Sequence, residues 1–421
     1  MGSFSNQVII NNDIKGVKTY VMPTGAKDVI TISGSILGGS IHCADKNSKL
    51  AALVATMLDK GTVKKDKYEI SETLESVGAE LNFSSTRYHT HFTGFCLNND
   101  LDTVVSLLVE QLMTPSFSND ELSTLKSRIC GNLERDKEDT KKIAMTHFLR
   151  RLFPKHHPNY RDTIDESINL VNKITTKDLF AFHKQRYGRG SIKIAAAGDI
   201  NPEEFNELII GPLGAWEKKE TIIPPIKEKA KDPKESNETI NIPDKTSSDL
   251  YIGQSIGIDS EHKDYYALML GVYILGGNFS ARLMQTVRDK QGLTYGIGSS
   301  ISGVSFGADG YWSIWGTFAP DILKKGIKAT KEQIDLWFKK GVTGDELSAK
   351  KTTINGSYKV SLDSTAGLAG KILSNAEHGR NISYLDKYPK IIENISLSEV
   401  NNAIKKYINP NKLHMVSAGT P

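Results

Sequence analysis

Arg288 and Tyr295 stand seven residues apart in the stretch 275–296, which reads Leu-Gly-Gly-Asn-Phe-Ser-Ala-Arg-Leu-Met-Gln-Thr-Val-Arg-Asp-Lys-Gln-Gly-Leu-Thr-Tyr-Gly. A guanidinium and a phenol are both hydrogen-bond donors, and two donors aimed at one oxygen stabilise a developing oxyanion. The spacing allows this. An apolar helical run, 265–275, ends at Gly276–Gly277, a second helix carries Arg282 and Arg288, and past Gly292 the segment 293–295 becomes extended. The plainer reading has the arginine capping a helix C-terminus and the tyrosine packed on a strand.

Other residue types with chemical potential are fewer. His89 and His91 are two apart on an expected strand and so share a face, which reads as an ordinary sheet face. His156 and His157 fall in a loop, and Cys43, Cys96 and Cys130 have no metal-type spacing and read as buried thiols. Gly276 and Gly277 are candidates for close approach of a bound substrate, or simply end the helix before them.

The elements that position these residues follow from pattern. Runs at 17–22 and 29–37 flank Pro-Thr-Gly and are expected to form a hairpin; 80–85 and 88–96 are expected to pair as strands. Apolar helices are expected at 50–58, 68–77 and 101–113. Ser118 with Glu121 forms a capping-box pattern that opens a long helix to about 139. The stretch 216–245, with Pro224, Pro225, Pro233 and Pro243 among many charges, reads as a linker.

The second half echoes the first. Asp120-Glu121-Leu122-Ser123 recurs as Asp345-Glu346-Leu347-Ser348, Lys126 as Lys351 and Gly131 as Gly356, all at an offset of 225. Ile174-Thr-Thr-Lys-Asp recurs as Ile395-Ser-Leu-Ser-Glu, and Ala197-Gly198 as Ala418-Gly419, at an offset of 221. Ordered matches at nearly constant offset indicate two copies of one αβ domain. The expected fold class is α+β, with mostly antiparallel sheets carrying packed helices. The expected domains are 1–215 and 246–421, joined by 216–245.

Composition excludes several classes of function. The 421 residues exceed one ordinary core, and 38% hydrophobic with 24% charged residues describes a soluble globular chain. A net charge of +4 spread along the chain gives no nucleic-acid surface, and no apolar run of about 18 residues spans a membrane. Met1-Gly2-Ser3 begins no signal-like apolar run, so either the protein is cytosolic or a targeting peptide has been removed; a bacterial periplasm or cytoplasm is expected ahead of the mitochondrial matrix.

The chain resembles the pitrilysin/insulinase zinc peptidases, which include the mitochondrial processing peptidase. Met57-Leu58-Asp59-Lys60-Gly61-Thr62, Gly78-Ala79-Glu80-Leu81-Asn82 and the segment 275–295 match family segments, and the resemblance runs along essentially the whole chain. It implies half of a clam-shell chamber. The family's inverted motif, His-x-x-Glu-His, falls on Ala52, Ala55 and Thr56, and its third ligand falls near Gly131–Asn132. Alanine has no lone pair and threonine is a poor zinc ligand. The resemblance therefore implies no metal and no cofactor in this chain, with zinc in a homologous partner subunit. Arg288 and Tyr295 would be donated to that partner's site as an oxyanion clamp on an extended peptide. The expected function is the non-zinc-binding subunit of a heterodimeric metallopeptidase, inactive alone. The alternative is an inert scaffold like the core proteins of the respiratory cytochrome complex.

Overall fold

The strand Val29–Ile36 alternates apolar with small or hydroxyl residues, and successive strand side chains point to opposite faces. In the computed structural model, which describes residues 3–12, 16–43, 47–219, 222–232 and 234–420, Ile30, Ile32 and Ile36 are fully buried. Thr31, Ser33 and Ser35 occupy the other face. This strand lies inside a six-stranded sheet of order Ile9–Asn11, Val17–Pro23, Ile192–Gly198, Val29–Ile36, Thr90–Leu97, Glu80–Ser85. Its pairings are antiparallel except that between Val17–Pro23 and Ile192–Gly198.

The expected pairing of Glu80–Ser85 with the following strand is present. The expected hairpin of 17–22 with 29–37 is not formed, because Ile192–Gly198 inserts between the two strands. That strand is buried on both faces along Ile194, Ala195, Ala196 and Ala197, and a buried central strand gains more from two neighbours than a local hairpin would.

A second sheet has the order Ser236–Asn241, His414–Gly419, Ser248–Ser255, Tyr311–Phe318, Gly296–Ser302. Only the pairing of Ser236–Asn241 with His414–Gly419 is parallel. Apart from the added edge strand Ile9–Asn11, the two sheets share one topology. Ser236–Asn241 falls inside the stretch 216–245, whose sequence has no strand-like apolar alternation; its partner strand supplies the order. The fold is α+β, built from two copies of one αβ arrangement.

Two compact units divide these elements. The first contains Met1–Cys130, Ile168–Pro224 and Ser357–Lys390; the second contains Gly131–Ser167, Pro225–Gly356 and Ile391–Pro421. Each half of the sequence thus lends a helix to the other half's sheet. Thr365–Glu377 packs on Ile192–Gly198 and Val29–Ile36, covering the hydroxyl face. Its Thr365 hydroxyl meets that of Thr31 at 2.8 Å. Thr140–Leu152 packs on His414–Gly419 and Ser248–Ser255 in the second unit, where Thr140 donates to Asp249 Oδ2 at 2.6 Å.

The helix expected from 118 to about 139 is present as Asn119–Asp136, and a separate helix, Thr140–Leu152, follows it. Asp139 caps the second by accepting from Lys142 N at 3.0 Å. Capping boxes do form at Thr175–Asp178, Thr343–Glu346 and Ser396–Glu399. At the box expected from Ser118 and Glu121, the Glu121 carboxylate pairs with Lys67 Nζ at 2.6 Å.

Candidate functional site

Helix Leu50–Met57 buries Leu50, Ala51, Leu53, Val54, Ala55 and Met57 against the first sheet. Positions 52 and 56, one turn apart, lie on its more open side: Ala52 is exposed and Thr56 half-buried. The spacing of a two-ligand helix is therefore present without the ligands. Thr56 Oγ1 donates to the backbone oxygen of Ala52 at 2.9 Å, so the one polar group there is committed to its own helix. Ala55 has no exposure at all. Asn132 is exposed on Asn119–Asp136 and accepts a hydrogen bond from Arg135.

In the second unit, helix Tyr265–Gly276 leads to a π-helical turn, Met284–Lys290. Bonds from Gln291 N to Thr286 O at 3.2 Å and from Leu293 N to Val287 O at 3.0 Å widen the turn, and π-turns of this kind recur at functional sites. Gly292, at φ +62°, reverses the chain. Thr294 Oγ1 then donates to Thr317 O at 2.5 Å and pins the approach to the edge strand Gly296–Ser302.

The two arginines of this segment differ sharply. Arg282 is bound by Glu346 through two 2.6 Å hydrogen bonds and donates to Gly341 O at 2.9 Å. Burial would raise the Glu346 carboxyl, but the Arg282 hydrogen bonds and charge, together with the Thr343 backbone, hold it down at about 2. Arg288 lies over the Phe279 ring with a side chain 42% exposed, and Tyr295 is 86% exposed. Both expected donors are accessible to solutes, whereas Arg282 is an internal anchor. Packing accounts for Gly276 and Gly277. A Cβ on Gly276 would stand 2.5 Å from Ser299 N, and one on Gly277 would stand 2.2 Å from the Tyr273 ring.

A third group was not legible in the sequence. His89 precedes the strand Thr90–Leu97 and His91 lies within it, both facing the C-terminal end of helix Thr365–Glu377. His91 Nε2 donates to Glu377 Oε1 at 2.8 Å. One donor atom from each of His89, His91 and Glu377 lies within 4.8 Å of the others. The two imidazoles thus sit against a carboxylate 286 residues from His91 rather than on an ordinary sheet face. Burial pushes His89 down to about 4. Burial would raise Glu377, but the hydrogen bond from His91 and the nearby imidazoles outweigh it and hold the carboxyl below its ordinary range. One sequence signal was available: at the 225 offset, Glu377 stands where the first copy has Leu152.

These features define a class: a duplicated α+β protein with a metal-type helix stripped of ligands and an accessible arginine and tyrosine in its second copy. The profile described as Insulinase (Peptidase family M16) matches residues 24–157, and that described as Peptidase M16 inactive domain matches 173–354. An uncharacterized zinc protease of Mycobacterium tuberculosis is 24% identical over 355 residues, covering 84% of this chain and 79% of its own. The non-peptidase homolog YmxG of Helicobacter pylori is 23% identical over 380 residues, covering 89% and 85%. The crystal structure of a peptidase M16 inactive domain from Pseudomonas fluorescens is similar at a TM-score of 0.89 and 26% identity, covering 98% of both chains. The chain belongs to the M16 (insulinase) peptidase family and is of its non-zinc-binding type. Among the described residues, no helix is long and apolar enough to cross a membrane.

Proposed function

We propose that this chain is the non-zinc-binding subunit of a two-subunit M16 metallopeptidase. It presents Arg288 and Tyr295 to a peptide held at the zinc of a homologous partner. The observation that carries the reading is the contrast in exposure. Arg288 and Tyr295 stay open to solvent in a family segment whose other arginine, Arg282, is locked to Glu346, while the helix Leu50–Met57 offers nothing that ligates zinc.

Peptide hydrolysis at zinc places negative charge on the former carbonyl oxygen. A guanidinium and a phenol hydroxyl already oriented toward that oxygen lower the barrier without reorganisation. Glu80–Ser85 and Gly296–Ser302 are sheet edges, and an open edge accepts an extended peptide through backbone pairing that is largely indifferent to sequence. The name of the Helicobacter pylori relative, a non-peptidase homolog, supports the second reading, a scaffold that only shapes an assembly.

The test is steady-state kinetics on a quenched fluorescent peptide, with the wild-type chain mixed with a zinc-bearing homologue and assembly followed by size exclusion. Arg288→Ala and Tyr295→Phe should assemble normally and each lose on the order of 100- to 1000-fold, mainly in kcat. Tyr295→Phe is the cleaner variant because it removes only a hydroxyl. Normal assembly with wild-type turnover in both variants would leave the scaffold reading in place.

A further inference from the structure

We propose that His89, His91 and Glu377 form a binding site for a divalent first-row transition-metal ion, zinc among them, which fastens helix Thr365–Glu377 to the first sheet. Two imidazoles and a carboxylate are a donor set suited to such ions. The donor atoms lie within 4.8 Å of one another. Bonds of about 2.0–2.2 Å place tetrahedral ligand atoms about 3.4 Å apart. His91 Nε2 and Glu377 Oε1, now 2.8 Å apart, need to separate by only a few tenths of an ångström. The metal takes the position of the Nε2 proton, which is released or moves to Nδ1.

The second unit shows that the fold does not require this cluster. Thr31 meets Thr365 as Asp249 meets Thr140, and Thr140 and Thr365 open helices of equal length at an offset of 225. Four residues on, Ser35 pairs with His91 and Gly253 with Ser313. The positions corresponding to His89, His91 and Glu377 are therefore Tyr311, Ser313 and Leu152. Tyr311 and Leu152 belong to an apolar core cluster there. At the far end of the borrowed helix the same junction closes on an apolar cluster in one unit and carries three potential ligands in the other. His89 is 3% exposed, and the side chains of His91 and Glu377 are 23% and 10% exposed, so a bound ion would be largely withdrawn from water. The Ser35 hydroxyl lies near Glu377, buried and without a hydrogen-bond partner of its own. Lys193 follows in the same ladder row, and its ammonium works against a second cation, which tempers affinity without blocking the site.

The inference does not rest on the peptidase reading, because its test uses neither a partner nor a peptide. The full chain is stripped with chelator, dialysed, and titrated separately with zinc and cobalt. The expected results are about one ion per chain, a visible d–d band with cobalt, and a rise in Tm on the order of 5 °C with zinc at 100-fold excess over Kd. His89→Gln and Glu377→Gln, each checked for folding by circular dichroism, should lose the band and the shift. A folded wild-type chain that gives no cobalt band and no zinc-dependent shift overturns the proposal. So does stoichiometric metal that persists in both folded variants.

Discussion

The two units solve one structural problem with different residues. Each closes one sheet face with a helix borrowed from the other half of the sequence, and each begins that contact at a threonine, Thr365 or Thr140. The first unit meets the helix end with His89, His91 and Glu377; the second meets it with Tyr311, Ser313 and Leu152. The first keeps a buried helix, Leu50–Met57, with no ligands, and the second keeps an exposed arginine and tyrosine. Topology tolerates both sets because the core needs apolar volume and a paired backbone, not particular polar atoms.

The strongest way to break this comparison is to put the missing chemistry back. Ala52→His, Ala55→Glu and Thr56→His together should not yield a peptidase, because Asn132 still stands near the third-ligand position. Ala55 is fully buried, so Ala55→Glu alone should cost about 3–5 kcal/mol, as expected of an uncompensated buried charge. Urea unfolding of the single and triple variants measures this. A fully stable triple variant that binds zinc tightly and cleaves peptide alone would reverse the account of the first unit.

The paired glutamates at the 225 offset give a finer comparison. Glu346 is held by Arg282 through two bonds, whereas its counterpart Glu121 meets a single lysine, Lys67. Glu346→Ala should destabilise by about 1.5–3 kcal/mol, because it strips a charged group of its partner. Glu121→Ala should move the denaturant midpoint less, since it breaks one lysine contact rather than a two-pronged arginine–carboxylate pair. The pH dependence has a definite sign. Glu346 titrates at about 2 in the folded chain against an ordinary 4.5, so the unfolded chain binds the proton more readily. Its contribution is fully present above pH 4.5 and fades as pH falls toward 2. Acid unfolding of Glu346→Gln should accordingly be shallower than wild type across that window, and equal slopes would remove the carboxylate from the account.

The smallest effect tests whether the copies remain alike where no chemistry is at stake. Gly131 and Gly356 each lie within a long helix, and a Cβ added at either would meet nothing within 4 Å. Gly131→Ala and Gly356→Ala should each stabilise by about 0.5–1 kcal/mol through helix propensity and a less entropic unfolded chain. Thermal unfolding checks both, and a loss in either would mean that a packing demand separates the copies there.

Sequence alone determined that the chain repeats itself, because capping boxes and anchoring lysines are local devices whose residues lie close in sequence. Thr343 with Glu346, Ser396 with Glu399, and Lys126 with Lys351 all act as the offsets indicate. Lys126 donates to Asn172 O at 2.8 Å and Lys351 to Glu393 O at 2.5 Å. Sequence also determined that positions 52, 55 and 56 cannot assemble the family's zinc site, since that follows from atoms the side chains lack. The sequence already placed Glu80–Ser85 beside the strand that follows it, but tertiary structure alone decided that Ile192–Gly198 displaces the expected hairpin. It alone decided that a helix from each half crosses to the other sheet. Periodicity records that a face is buried but not what buries it. For the same reason His89 and His91 gave no sign of Glu377. Their meeting depends on a contact 286 residues long, fixed by the packing of a whole helix and not by any local preference of the residues that meet.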